Sequence, residues 1–130
     1  MVLRKLLAAC VGAGVLAIPL GALWVDGRLA FGPLPWLGYV LLGVGALASL
    51  TNFYLSFLRR PLFLRRGGSA SAYRHISGLP LVGMVVLLGL PLVPASPAWS
   101  LGTLFLLLID TGNLPWFIVA VWKDDSFWGA

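Results

Sequence analysis

ISGLPLVGMVVLLGLPLVPASPAWSLGTLFLLLIDTGNLPWFIVAVW, residues 76–122, contains one charged side chain, Asp110. An α-helix rises about 1.5 Å per residue and needs roughly 20 apolar residues to cross a bilayer, so this stretch is too long for one crossing and fits two. Pro91, Pro94 and Pro97 mark the connection, because proline lacks the amide proton that an interior helix position uses. The spacing predicts a short helix over 77–93, with Ser77 as N-cap and Pro80 in the first turn. A further helix is predicted over 98–122, with Trp99 at one interface, Trp122 and Lys123 at the other, and a kink at Pro115.

The preceding chain repeats the pattern. Every residue from Leu6 to Val25 is uncharged, and a second uncharged stretch follows Arg28, entering through Phe31-Gly32-Pro33-Leu34-Pro35-Trp36. The expected fold is all-α: a single domain over 1–130, an integral membrane bundle of four transmembrane helices at about 6–25, 36–58, 77–93 and 98–122. A porin-like barrel would alternate apolar and polar residues in segments of about 10, whereas these spans are continuously apolar.

Loop charge supplies an orientation, since cytoplasmic loops are enriched in Lys and Arg. Arg4 and Lys5 precede the first span, Arg59, Arg60, Arg65, Arg66 and Arg74 fall in the 59–76 loop, and Lys123 follows the fourth. The opposite loops carry Arg28 offset by Asp26 in one case and no charge in the other. Both termini and the basic loop are therefore expected on the cytoplasmic side. Topology thus accounts for the net charge of +5 in a chain that is 60% hydrophobic and 10% charged, and a nucleic-acid partner is not expected. The predominance of Arg over Lys is compatible with a GC-rich bacterial genome, and the expected location is a bacterial inner membrane, crossed several times. Gly67-Gly68-Ser69-Ala70-Ser71-Ala72 reads as a flexible stretch of the loop.

Several chemistries find no support. A lone Cys10 cannot form an internal disulfide or a paired-thiol redox or zinc site. Leu7-Ala8-Ala9-Cys10 has the look of a lipobox, but its apolar stretch follows the cysteine instead of preceding it. His75 is the only histidine, which does not make a metal site. No catalytic, metal, nucleotide or cofactor motif is present, so an enzyme is not expected.

In lipid, helices associate through close packing and interhelical hydrogen bonds. Ala9, Ala13, Ala17 and Gly21 form a small-residue stripe on the first span, read as bundle packing ahead of dimerisation. On the second, Gly45, Ala48, Asn52 and Ser56 share a face expected to look inward.

Asp110 is the feature that needs compensation, since an ionised acid at mid-bilayer costs at least about 2.5 kcal/mol on insertion scales. Thr103 and Asn113 share its helical face, and Asn52 and Asn113 lie at similar depth, about one turn to the cytoplasmic side of centre. Asp110, Asn113, Asn52, Thr51 and Thr103 therefore make a candidate intramembrane polar site for a proton, a cation or a polar group of a partner. The competing reading is an acid held by neighbouring helices for structure alone. Asp110-Thr111-Gly112-Asn113-Leu114-Pro115 can alternatively be a local break in the helix, exposing backbone groups as transporter helices do. Arg59, Arg60, Arg65, Arg66, Arg74 and His75 are candidates for lipid headgroup contact, with topology as the simpler reading of the arginines.

Asn52-Phe53-Tyr54-Leu55-Ser56-Phe57-Leu58-Arg59, Ser77-Gly78-Leu79-Pro80-Leu81-Val82-Gly83 and Asp110-Thr111-Gly112-Asn113-Leu114-Pro115-Trp116-Phe117 together resemble small uncharacterised four-span bacterial inner-membrane proteins, some encoded near secreted-toxin genes. The resemblance implies an immunity or accessory role. The expected function is binding through helix faces, with the bilayer and a membrane protein or a second copy as partners. The alternative is a small proton- or ion-coupled transporter or channel subunit centred on Asp110. Small multidrug transporters are similar in size but carry an acid in the first span, where this chain has none.

Overall fold

A computed structural model describes residues 2–24, 34–76, 78–122, 124 and 126–128. Among them the chain is helical, with no strand. Three helices are long and apolar enough to cross a membrane: Val2–Ala22, Pro35–Arg65 and Pro97–Val121. The loop charges Asp26 and Arg28, the proposed cap Ser77, and Lys123 lie outside the described residues.

The first helix, α1 (Val2–Ala22), starts ahead of the expected span and includes Arg4 and Lys5 in its first turns. The second begins as α2 (Pro35–Phe53), with Pro35 at the first position, where no amide proton is needed. It does not stop near Leu58. A π turn over Tyr54–Leu58 leads directly into α3 (Arg59–Arg65), so the helix runs 31 residues. At about 1.5 Å per residue that is roughly 46 Å, longer than a bilayer's hydrocarbon core of about 30 Å. Gly67 ends it: φ is +86°, the Gly67 amide donates to Leu64 O and the Gly68 amide to Phe63 O, both at 3.1 Å. These are the two bonds of a Schellman cap, so the glycine pair expected to be loose is a defined helix stop.

The third apolar segment departs most from expectation. Its described residues, 78–93, form no regular helix. Residues 73–76 and 78–79 have no regular secondary structure, Leu81 takes a left-handed backbone with φ of 60°, and a short apolar helix covers Val82–Leu92. Only α4 (Val86–Gly89) in its middle has α geometry, between 3-10 turns at Val82–Val85 and Leu90–Leu92.

Glycines let this segment pack closely against α2. A Cβ on Gly45 would stand 2.4 Å from Val86 Cγ1, one on Gly38 2.8 Å from Leu92 Cβ, and one on Gly89 2.8 Å from Gly38 O. Asn52 meets Leu79 at one end and Gly38 meets Val93 at the other, so the segment runs antiparallel to α2 along about 21 Å of its length. Gly45 is the packing residue the sequence suggested.

After a connection through Pro94, Ser96 caps α5 (Pro97–Ile109), its hydroxyl accepting from the Ala98 amide at 3.3 Å. The chain breaks at Asp110 and resumes as α6 (Leu114–Val121), with Pro115 in the first turn. Pro115 therefore starts a helix, where a kink inside one was expected. The α1 face turned toward the bundle is Gly12, Val15 and Pro19, all buried, with Gly12 against Ile118 of α6. Ala13, Ala17 and Gly21 are exposed and Ala9 is half-buried, so the expected stripe is not the internal seam. Gly12 is smaller than any residue of that stripe except Gly21, and a Cβ there would stand 3.0 Å from Ile118 Cδ1. The core gathers Val15, Leu42, Val86, Val93 and Leu107.

The start of α1 meets residues 122 and 128 at one end of the bundle. Arg4 Nη1 donates to Trp128 O at 3.1 Å, and Lys5 Nζ lies 5.9 Å from the centre of the Trp122 ring.

Candidate functional site

The break at residues 110–113 strands backbone groups that a continuous helix would pair, and in an apolar surrounding each must find another partner. The sequence Asp110-Thr111-Gly112-Asn113 provides several of them. Asp110 Oδ1 accepts from the Gly112 amide at 2.9 Å, a turn that an aspartate closes on its own backbone. Asn113 caps α6, its Oδ1 accepting from the Trp116 amide at 3.3 Å, while its Nδ2 donates to Leu107 O. The indole of Trp116 donates to Leu108 O at 2.8 Å. Leu107 and Leu108, whose carbonyls would otherwise bond residues 111 and 112, are thus satisfied by side chains. The alternative the sequence allowed, a local break, is what forms.

Other segments close the site. Asn52 Nδ2 donates to Asp110 Oδ1 at 2.6 Å and to Leu79 O at 2.9 Å, and its Oδ1 accepts from the Leu79 amide at 2.6 Å. This side chain thus pairs with both backbone groups of Leu79, in a stretch without regular secondary structure. Ser49 Oγ donates to Asp110 Oδ2 at 3.4 Å, and the Leu81 amide donates to Gly112 O at 2.8 Å. Ser56 and Thr111 hydroxyls bond at 2.6 Å, and Thr111 also donates to Asn52 O at 3.4 Å. Gly83 lies so close that an added Cβ would fall 1.5 Å from Asp110 Oδ2.

Asp110, Asn52, Ser49 and Asn113 are fully buried. Of the five polar residues expected to converge, Asp110 and Asn52 meet directly, and Asn113 serves the same break from its other side. Thr51 does not take part: it is exposed and its hydroxyl donates to Leu47 O at 2.7 Å in its own helix. Thr103 is buried about two turns before Asp110, without a hydrogen-bond partner. Ser49, Gly83, Gly112 and the Leu79 and Leu81 backbones were not foreseen. Ser49 was detectable, being three residues before Asn52 on one helical face. The others depend on which chain segment packs opposite.

No family model, curated protein or solved structure matches this chain.

Beside the break lies a cleft of about 270 Å³, lined by residues including Ser56, His75, Thr111, Gly112 and Trp116. At the basic end, Arg59 Nη1 donates to Arg74 O at 2.8 Å, and its guanidinium stands 5.3 Å from the Tyr73 ring centre. Arg60, Arg65, Arg66, Arg74 and His75 are exposed. Arg59 therefore ties the end of the long helix to the returning chain, while the other cations face outward.

Proposed function

We propose that this is a binding or accessory protein of a bacterial inner membrane, acting through its helix faces and not through chemistry at Asp110. The observation that carries this reading is the saturation of the acid. Asn52 and Gly112 donate to one carboxyl oxygen and Ser49 to the other, with Gly83 packed against the second, so the group is committed to holding segments of its own chain together.

Four crossings, with both termini and the 59–76 segment cytoplasmic, belong to the same proposal. The Arg4–Trp128 bond and the antiparallel run of 78–93 along α2 support it, because chain ends that meet require an even number of passes. Protection against a membrane-acting toxin is the specific form suggested by the resemblance to proteins encoded near toxin genes. The test is quantitative recovery of the tagged chain in mild detergent from its own cells. A specific membrane protein should be enriched over an untagged control, and recovery of none would overturn the reading.

A second reading, a small proton- or ion-coupled transporter or channel subunit, draws support from the broken helix and the half-polar cleft next to it. Reconstituted vesicles separate the two. Flux that disappears in Asp110→Asn, with the fold retained, favours transport; absence of flux from the wild-type chain favours the accessory role.

A further inference from the structure

The cleft beside the helix break is half polar and half apolar, and its polar groups are open to a ligand: Ser56 and His75 are exposed and Thr111 is half-buried. The Ser56 and Thr111 hydroxyls lie 2.6 Å apart and share one proton. Their second proton goes to Asn52 O at 3.4 Å, too long for a strong bond, so a better acceptor in the cleft would take it.

Charge around the cleft is positive. His75 is in its wall and follows Arg74, and Arg59, one turn beyond Ser56, donates to Arg74 O at 2.8 Å. None of the described residues that line the cleft is acidic. The Asp110 carboxyl is fully buried behind it, already accepting from the Gly112 amide. The apolar wall includes Trp116 and Phe117, both exposed on the first turn of α6.

We propose that this cleft holds the phosphodiester of an anionic phospholipid, which accepts from His75 and from the Ser56–Thr111 pair while the start of an acyl chain covers Trp116 and Phe117. Depth suits this ligand. Tyr39 and Trp99, with ring centres 5.5 Å apart near the starts of their helices, have the place of residues that mark one bilayer boundary. Arg59 lies about 30 Å farther along its helix than Tyr39, the thickness of a hydrocarbon core, so the cleft at Ser56 falls one turn inside the opposite boundary. Basic pockets between helices at that level hold lipid headgroups. At about 270 Å³ the cleft is smaller than the roughly 300–1,000 Å³ that encloses a whole small ligand, so it takes the lipid's head and leaves its chains in the bilayer. A wall without acids offers nothing to the ammonium of phosphatidylethanolamine, and a soluble phosphate would leave the aromatic side bare. The site needs the membrane placement but neither the accessory role proposed above nor any chemistry at Asp110.

The test is competition between phosphatidylglycerol and phosphatidylethanolamine of equal chain length for the full chain in neutral detergent, read by native mass spectrometry. The wild-type chain should retain phosphatidylglycerol about fivefold better or more, the effect of one basic residue beside an anionic lipid. Ser56→Ala combined with His75→Ala should lose most of that preference, whereas Arg65→Ala combined with Arg66→Ala, at exposed positions away from the cleft lining, should keep it. Equal retention of the two lipids by the wild-type chain, which needs no variant to fold, overturns the proposal. So does a preference that survives in the cleft pair or vanishes in the arginine pair, since either assigns it to diffuse surface charge. Displacement of phosphatidylglycerol by inorganic phosphate at the same concentration would assign the cleft to a soluble anion and equally overturn it.

Discussion

Asn52 and Asp110, 58 residues apart, are joined by a 2.6 Å hydrogen bond from Asn52 Nδ2 to Asp110 Oδ1, and the same amide group holds both the N-H and the carbonyl of Leu79. One side chain thereby connects the long second helix, the irregular entry to the third segment and the break in the last. Its neutral amide suits this position because it both donates and accepts.

Asn52→Ala removes these bonds at once and leaves buried polar groups short of partners. At about 1–3 kcal/mol for each stranded group, the expected loss is on the order of 3 kcal/mol or more, seen as a large fall in Tm in detergent. Asn52→Asp should be at least as damaging, since it replaces the donating amide with a second carboxyl group facing the first. A variant melting within a few degrees of wild type would show that Asn52 does not hold the break.

The glycines divide into two kinds by what surrounds them. Gly83→Ala would place a methyl group 1.5 Å from Asp110 Oδ2, and Gly45→Ala one 2.8 Å from the Val86 backbone nitrogen. Each should cost about 1–3 kcal/mol or more, because overpacking there displaces backbone. Gly14, with nothing within 4 Å, is expected to accept alanine and gain up to about 1 kcal/mol from helix propensity. Chemical denaturation in one detergent would rank the three.

Leu81 adopts a left-handed backbone, φ 60°, that costs an L-residue about 1–2 kcal/mol. Its amide bonds Gly112 O, and its carbonyl accepts from the Met84 amide at 3.1 Å, so the turn is fixed from both sides. Since the side chain is 53% exposed, Leu81→Gly should leave stability unchanged or raised. Leu81→Val should lower it, because a β-branched residue fits this region worst. The reverse order in a thermal melt would refute the strain.

The C-terminal turn should respond to acid. The Ser126 hydroxyl, at 2.6 Å, and then the Phe127 and Ser126 amides hold the Asp124 carboxyl below the usual carboxylate range. A lowered folded-state value means that the turn's contribution is present above the ordinary value of about 4 and is lost as pH falls through the folded one. Trp128, whose indole donates to Val121 O at 2.8 Å, is the reporter. Its indole N-H signal in micelles should broaden or shift below about pH 4 in the wild-type chain and stay flat in Asp124→Asn.

Several features were legible in the residues themselves. Charge spacing isolates the apolar segments, Pro35 and Pro97 mark helix starts, and Gly45 lies on the inward face, because bilayer thickness and helix rise act on any chain of this composition. The Asp-Thr-Gly-Asn-Leu-Pro run carried its break locally: an aspartate to close a turn, an asparagine to cap, and a proline for the first helical turn. The sequence reading preferred a kink because an unbroken apolar run satisfies a length rule equally well.

What the sequence by itself determined is that the chain is a series of long uncharged, apolar segments and that one acid interrupts the last of them. Tertiary structure alone decided that Asn52 pairs with the Leu79 backbone, that Gly12 and not the alanine stripe packs against Ile118 of α6, and that Thr51 bonds its own helix while Thr103 finds no partner. Composition and period fix which face of a helix is small or polar. Which segment lies against that face follows from close packing between distant parts of the chain, and Asp110 acquires its role only when Asn52 and Gly83 are brought against it.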